Sequence, residues 1–317
     1  MHLWLKIDLY KGVRKGDYGT LIKVREMKNR QRLSGSKNAW IWFLLPSGVG
    51  VFVFVCLPFL DVIRRSFVTV VTQKWVGVHN YRLIFENQAF LLAVKNTVRF
   101  TAVCLPILIG LGLFLAIQLS RLRKIQFLKS CFLFPMAIPA ATIVLVWRMV
   151  FSKQGFLNLL LHSLHLISRE GAIDYMSTKA AFWVLVFSYV WKNLGYTIVL
   201  WLAGIFSIPT DIIDAARVDG ASERQCFWQV IFPNLKGTLY TITVLSFLNS
   251  FKVFREAYLV AGSYPHESMY LLQHLFNNWF VNLELDKMAA AAVCVGTVLF
   301  FFILLLQRFW DQDGRER

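Results

Sequence analysis

Six long apolar runs, separated by shorter polar stretches, dominate this chain. They cover 39–62, 94–118, 129–151, 181–205, 236–260 and 288–309, and each reaches about the 20 residues an α-helix needs to cross a bilayer. Runs this long and evenly apolar lack the alternation of barrel strands, and a chain in lipid must satisfy its own backbone hydrogen bonds. The expected fold class is therefore an all-α integral membrane protein with six transmembrane helices. About forty residues precede the first run and no small-residue cleavage site follows it, which argues against a signal peptide.

Between the fourth and fifth runs lies a polar island, Ser207 to Pro233, reading SIPTDIIDAARVDGASERQCFWQVIFP. Ser207 suits a helix cap, Pro209 a first turn, and Asp211 and Asp214 the positive end of a helix dipole. Asp219-Gly220 reads as a turn, with Gly220 in a left-handed conformation. Helical spacing resumes over Ala221 to Trp228, and Pro233 ends the island. Ala215, Ala216, Gly220 and Ala221 are small enough for another protein's surface to approach the backbone, while Asp214, Arg217 and Asp219 offer charges. The pattern suits docking rather than catalysis.

The chain has 317 residues, is 57% hydrophobic and carries a formal net charge of +16. That composition excludes an ordinary soluble domain, so the placement of the charge matters more than its sum. Residues 1–38 hold ten Lys or Arg against three acids, and the short segment after the second run carries Arg121, Arg123, Lys124 and Lys129. Both are expected on the cytoplasmic side. With six spans, both termini and the Asp214 loop then lie in the cytoplasm. Arg64, Arg65, Lys74 and Arg82 fall on the outer side and run against this tendency. Residues 1–38, interrupted by Gly12, Gly16, Gly19 and Gly35, suit contact with anionic lipid rather than nucleic acid.

The island resembles the EAA loop of binding-protein-dependent ABC importer permeases. The family's Glu-Ala-Ala, Asp-Gly-Ala, aromatic and Ile-x-Leu-Pro pattern appears as Asp214-Ala215-Ala216, Asp219-Gly220-Ala221, Phe227-Trp228 and Ile231-Phe232-Pro233. Asp214 stands where the family usually has Glu, and Phe232 where it has Leu. Further landmarks follow in order: Gly77-Val78-His79-Asn80-Tyr81, Asn96-Thr97, Pro135 and Pro139, Trp147, Gly155-Phe156-Leu157-Asn158, and Leu202-Ala203-Gly204 with Ile208-Pro209. Ala261-Gly262-Ser263-Tyr264-Pro265 replaces the usual Gly-Gly-Pro. The resemblance covers about residues 40–309 and is closest to the carbohydrate-importing branch. It implies a cytoplasmic coupling helix between spans four and five, with Asp214, Ala215, Ala216, Asp219, Gly220, Ala221 and Pro233 meeting an ATPase. It also implies a second related permease, two cytoplasmic ATPase subunits holding ATP and Mg, an extracytoplasmic solute-binding protein, a sugar solute, and a prokaryotic cytoplasmic membrane.

No G-x-x-x-x-G-K-[ST] motif is present, so ATP hydrolysis falls to another subunit and the chain itself needs no cofactor. No G-x-S-x-G or H-E-x-x-H is present either, and the histidines are scattered. Cys56, Cys104, Cys131, Cys226 and Cys294 lack metal-ligand spacing and read as small apolar residues.

For the solute path, Tyr189, Asn193 and Tyr196 recur at i, i+4 and i+7, placing two phenols and an amide on one helical face. Ser246, Asn249, Ser250 and Val253 repeat the spacing in the fifth run. Aromatic rings stack on sugar faces and amides bond hydroxyls, while the same residue types also join neighbouring helices. The resemblance favours the path, since relatives that bind sugar in the membrane use these two spans. Lys192, Lys252 and Arg255 lie in or near these runs, and they point either to an acidic solute or to snorkelling and pairing with Glu256. Trp40, Trp42, Trp147, Trp201 and Trp310 suit interfacial anchoring.

The expected organisation is a basic cytoplasmic segment at 1–38, a first transmembrane helix and outer loop at 39–90, a permease core at 91–309 containing the loop 207–233, and a cytoplasmic tail at 310–317. The expected function is that of the permease subunit of an ATP-driven carbohydrate importer. A stand-alone secondary transporter or channel is the alternative, and would use Glu256 as its main intramembrane acid. A membrane-bound enzyme lacks a catalytic cluster.

Overall fold

The computed structural model describes residues 39–122, 125–168 and 171–315. The expected basic segment 1–38, with Arg123, Lys124 and the last residues of the tail, lies outside them. Among the described residues regular structure is helical, apart from one antiparallel bridge between Val68 and Trp75.

The chain divides into two units, Met1–Val62 and Ile63–Arg317. In the first, α1 (Ala39–Val51) leads through a π turn, Phe52–Cys56, into α2 (Leu57–Ser66), which crosses the boundary. The π turn closes with the Leu57 N–H on the Phe52 carbonyl, one residue before Pro58. A proline has no N–H to give and its ring crowds the carbonyl four residues back, and a widened turn relieves both. Many side chains of this helix are exposed, Trp42, Phe43 and Phe54 among them.

The second unit contains α3 (His79–Glu86), α4 (Gln88–Ser120), α5 (Ile125–Ala137), α6 (Ala140–Phe151), α7 (Phe156–Ser163) and α8 (Ala181–Phe206). The polar island follows as α9 (Thr210–Val218), α10 (Glu223–Gln225) and α11 (Phe232–Asn234). The chain ends with α12 (Lys236–Ser250), α13 (Phe254–Ala261), α14 (Leu272–Val281) and α15 (Leu285–Arg315).

Among the described residues five helical stretches are long and apolar enough to span a membrane: Ile41–Ser66, Gln88–Ser120, Ala140–Ser163, Ala181–Phe206 and Leu285–Arg308. Two of the expected runs are divided. The run 129–151 breaks between α5 and α6, where Pro139 takes an extended conformation (ψ 142°) and starts a new helix. The run 236–260 breaks between α12 and α13 at a 3-10 turn, Phe251–Val253, with no proline or glycine to announce it.

Helix α8 is the centre of the unit and packs along α4, α5 and α12. Three apolar clusters form the core of the unit, two of them along α8. One joins Phe100, Cys104 and Leu108 of α4 to Phe182, Leu185 and Tyr189 of α8. Another gathers Ala116, Ile198, Trp201, Leu202, Leu235 and Ile242 next to the island. A third, around Ile84, Phe90, Tyr270, Leu275 and Trp279, joins α3, α4, α14 and α15. Gly195 and Gly204 permit the closest approaches: a Cβ at Gly195 would run into the Phe132 carbonyl of α5, and one at Gly204 into Thr238 of α12.

The tryptophans expected at the interface divide. Trp42 is exposed, but Trp147 and Trp201 are buried. Trp147 donates its indole N–H to the Ser188 hydroxyl (2.8 Å), Trp201 to the Ile109 carbonyl (3.2 Å) and Trp310 to the Lys236 carbonyl (2.8 Å). These three join helices, because a buried indole N–H needs an acceptor. Cys104 and Cys226 are buried as expected, Cys56 and Cys294 are partly buried, and Cys131 is exposed.

Candidate functional site: an exposed helical elbow and a polar cavity

The elbow is built by two capping motifs. Helix α9 closes with the Ala221 N–H on the Ala216 carbonyl and the Gly220 N–H on the Arg217 carbonyl, both 3.0 Å. These six-to-one and five-to-two bonds make a Schellman motif, which needs a left-handed residue at Gly220; its φ is +84°. Helix α10 then starts with a capping box. The Gln225 N–H bonds the Ser222 hydroxyl (3.3 Å) and the Ser222 N–H bonds the Gln225 side chain (2.9 Å). The Ser222-x-x-Gln225 signature of this box is visible in the sequence.

Three expected details change. Ser207 caps the end of α8, its hydroxyl donating to the Gly204 carbonyl (2.7 Å), and Pro209 rather than Ser207 occupies the N-cap of α9. Pro233 does not end the island. A second π turn, Cys226–Ile231, closes with the Phe232 N–H on the Phe227 carbonyl, and the helix runs on through Pro233 as the first one does at Pro58. Arg217 is engaged within the chain, with Asp214 (3.5 Å) and Glu223 (3.1 Å), and Glu223 also meets Arg121 (3.7 Å). These exposed pairs are individually weak, each worth up to about 1 kcal/mol.

No residue of α9 is buried. Ile212, Val218 and Trp228 are exposed, Val218 at 87%. Ala216, Asp219, Gly220, Ala221, Gln225, Gln229 and Val230 line a shallow hollow beside the turn. Of the expected contact residues, Ala216, Asp219, Gly220 and Ala221 border this hollow, Asp214 and Ala215 are exposed on the preceding turn of α9, and Pro233 lies farther along the chain.

The second feature is a cavity of about 380 Å³ at the α12–α13 break. Met136 of α5, Ser188, Tyr189, Lys192 and Asn193 of α8, Asn249 of α12, and Phe251 to Glu256 line it. Lys192 donates to the Glu256 carboxylate, and Glu256 is buried. Lys252 and Arg255 are exposed to the space.

The two polar stripes divide between this cavity and helix joining. Tyr189, Asn193 and Asn249 line the cavity. Tyr196, Ser246 and Ser250 do not: the Tyr196 hydroxyl bonds the Ser246 hydroxyl (2.7 Å), and the Ser250 hydroxyl donates to the Phe247 carbonyl (2.7 Å). Tyr189 does both, since its hydroxyl donates to the Ser246 carbonyl (2.6 Å) while the residue also borders the space. Asn193 spends one N–H on the Tyr189 carbonyl (2.8 Å).

The other landmarks turn out to hold loops. Asn80 donates to the Ser66 and Val68 carbonyls (both 3.1 Å). Asn96 donates to the Glu267 and Tyr270 carbonyls (2.6 and 3.0 Å), while Thr97 accepts the Leu272 N–H (3.0 Å). Asn158 donates to the Ser152, Lys153 and Ile173 carbonyls. All three asparagines are buried, where an amide can satisfy several backbone groups that water does not reach.

The family model for the binding-protein-dependent transport system inner membrane component matches residues 108–315, more than half the chain. A probable starch degradation products transport system permease protein, AmyD of Thermoanaerobacterium thermosulfurigenes, is 26% identical over 84% of this chain and 91% of its own length. The trehalose/maltose transport system permease protein MalF of Thermococcus litoralis is 29% identical over 83% of this chain and 91% of its own. In fold, the chain is similar to a subunit in the crystal structure of a bacterial ABC transporter involved in import of the acidic polysaccharide alginate, with a TM-score of 0.75, 18% identity, and coverage of 89% of this chain and 99% of that one. With its apolar spanning helices and the family model matched across the elbow and the cavity, the chain is a multi-pass protein of the cytoplasmic membrane and belongs to the family of binding-protein-dependent transport system inner membrane components.

Proposed function

We propose that this chain forms one half of the translocation path of an ATP-driven importer for a carbohydrate, an oligosaccharide or other glycan-derived solute. A second, related permease forms the other half. Two cytoplasmic ATPase subunits hold ATP and Mg, and an extracytoplasmic solute-binding protein delivers the sugar. In this reading six spans cross the membrane, α12 and α13 together making the fifth, and both termini are cytoplasmic. The names of relatives that transport trehalose, maltose and starch degradation products support the carbohydrate assignment.

The observation that carries the reading is α9, a helix with no buried residue that ends in a rigid, doubly capped elbow. A helix with such a surface gains by covering it with a partner, here the groove of an ATPase. The coupling then follows mechanically. Only Ser207, Ile208 and Pro209 separate α8 from α9, and from Glu223 the chain is helical almost without interruption to Ser250, a rod about 40 Å long. Closure of the ATPase pair on ATP displaces the elbow, and the rod carries that displacement to the 3-10 turn at the cavity. Breaks in helical geometry are where such a rod bends. Tyr189, Asn193 and Asn249 meet the solute there, and Tyr196, Ser246 and Ser250 hold the helices that move.

A stand-alone transporter would need an ion-coupling acid inside the spans; its main candidate, Glu256, is ion-paired with Lys192. Purification of the chain from its own membrane in mild detergent tests the proposal. Recovery of a second permease and a P-loop ATPase, with hydrolysis stimulated by a sugar-loaded binding protein, is expected. Recovery of the chain alone, with uptake dependent on an ion gradient, would overturn it.

A further inference from the structure

The cavity at the α12–α13 break carries three cations, Lys192, Lys252 and Arg255, against one carboxylate, Glu256. Lys192 takes that carboxylate. Among the described residues neither Lys252 nor Arg255 has an ion-pair partner, and both border the space. An unpaired cation at membrane depth is costly and is retained where it faces a watered path or an anion. Two such cations one helical turn apart repel each other, so the cost is relieved when an anion lies between them.

We propose that the cavity passes an anionic solute, a saccharide bearing a carboxylate or a phosphate group, and that Lys252 and Arg255 bind that group during transit. The inference rests on the importer reading above and specifies its substrate class. The guanidinium presents paired donors that fit carboxylate and phosphate oxygens, and the ammonium adds a mobile point charge. Asn193 of α8 and Asn249 of α12, both on the cavity lining, are left for hydroxyls. The Lys192–Glu256 pair keeps a third cation from holding the anion too firmly for release. A neutral sugar would meet the same amides but leave both cations uncompensated.

The test uses host cells expressing the complete transporter and fed a pooled set of oligosaccharides: neutral ones, ones ending in a uronic acid, and phosphorylated ones. Uptake is read by mass spectrometry in wild-type cells, in cells lacking this chain, and in cells carrying K252Q with R255Q. Removal of the chain is expected to abolish uptake of uronate or phosphorylated members, and the relative losses tell which group is carried. The double variant is expected to lower that uptake at least 10-fold at an unchanged amount of assembled complex, while the charge-conserving pair K252R with R255K restores most of it. Loss of neutral members alone on removing the chain would overturn the proposal and leave the carbohydrate importer standing. So would undiminished acidic uptake in the double variant. Uptake of every saccharide unchanged by removal of the chain would instead overturn the carbohydrate reading itself.

Discussion

Lys192 on α8 and Glu256 on α13 form an ion pair across the cavity, linking the central helix to the short helix that follows the 3-10 turn. Their side chains are 23% and 8% exposed, so neither charge is fully hydrated. Removing Glu256 leaves Lys192 as a third unpaired cation at the cavity, whereas removing Lys192 leaves Glu256 near Lys252 and Arg255. Glu256→Gln is expected to destabilise the detergent-solubilised complex by about 2–3 kcal/mol, and Lys192→Gln by less. The double variant should lose less than the sum. Thermal unfolding of all four forms checks this, and additive losses would mean the pair is not coupled.

Gly195 is expected to tolerate no side chain. Its missing Cβ faces the Phe132 carbonyl of α5, a backbone group that cannot rotate away. At Gly112 the nearest atom is the Thr197 Cγ2, 2.6 Å from a built Cβ, and a side chain yields more readily. Gly195→Ala should cost about 3 kcal/mol and Gly112→Ala about 1 kcal/mol. Gly237→Ala meets nothing within 4 Å, so it should gain up to about 1 kcal/mol from helix propensity. Melting temperatures of the three variants give the order directly.

Gly220 separates shape from charge in the elbow. Its φ of +84° is strained for other residues, while a built Cβ has open space around it. Asparagine tolerates this conformation better than most side chains do. Gly220→Asn should therefore leave most uptake intact, whereas Gly220→Asp adds a carboxylate next to Asp219 and should cut uptake at least 10-fold with normal membrane insertion. Wild-type uptake by the aspartate variant would remove the elbow from the coupling path.

His274, in α14 outside the membrane-spanning helices, is fully buried and accepts the Leu271 N–H on Nδ1 (3.2 Å). Its ring stands edge-on to Phe254, 4.8 Å between centroids. Burial holds its pKa down to about 4, against an ordinary 6.5. The fold therefore favours neutral imidazole, while the unfolded chain takes up a proton first as pH falls. This contribution is fully present above pH 6.5 and is lost as pH drops towards 4, up to about 3 kcal/mol in all. His274→Gln keeps an acceptor for Leu271 but does not titrate. Its melting temperature should fall less between pH 7 and pH 4.5 than that of the wild type.

Much of this protein was legible as sequence. The apolar runs, the positive-φ glycine after Asp219 and the order of the motif residues are local properties, set by hydrophobic length, backbone sterics and chain spacing. The helix starting after Pro139 was marked by that proline, although the break it makes in the third run was not anticipated. The Ser222–Gln225 capping box is equally local, a serine three residues before a glutamine. By contrast, nothing local distinguishes Ser246 from Asn249. Both lie on one polar stripe, and only the packing of α12 against α8 turns Ser246 towards Tyr196 and leaves Asn249 on the cavity.

The same limit applies to charge. The sequence by itself determined a multi-span helical protein with a polar elbow and three cations in or near its fourth and fifth spans. It did not say whether Glu256 would neutralise Lys192, Lys252 or Arg255, because α8 and α13 are far apart in the chain. Only the tertiary structure decided that Lys192 takes the carboxylate and that the 3-10 turn brings Lys252 and Arg255 to the same cavity. The physical reason is that helix propensity and hydrophobic length act within a segment, whereas ion pairing and cavity shape depend on which helix faces meet.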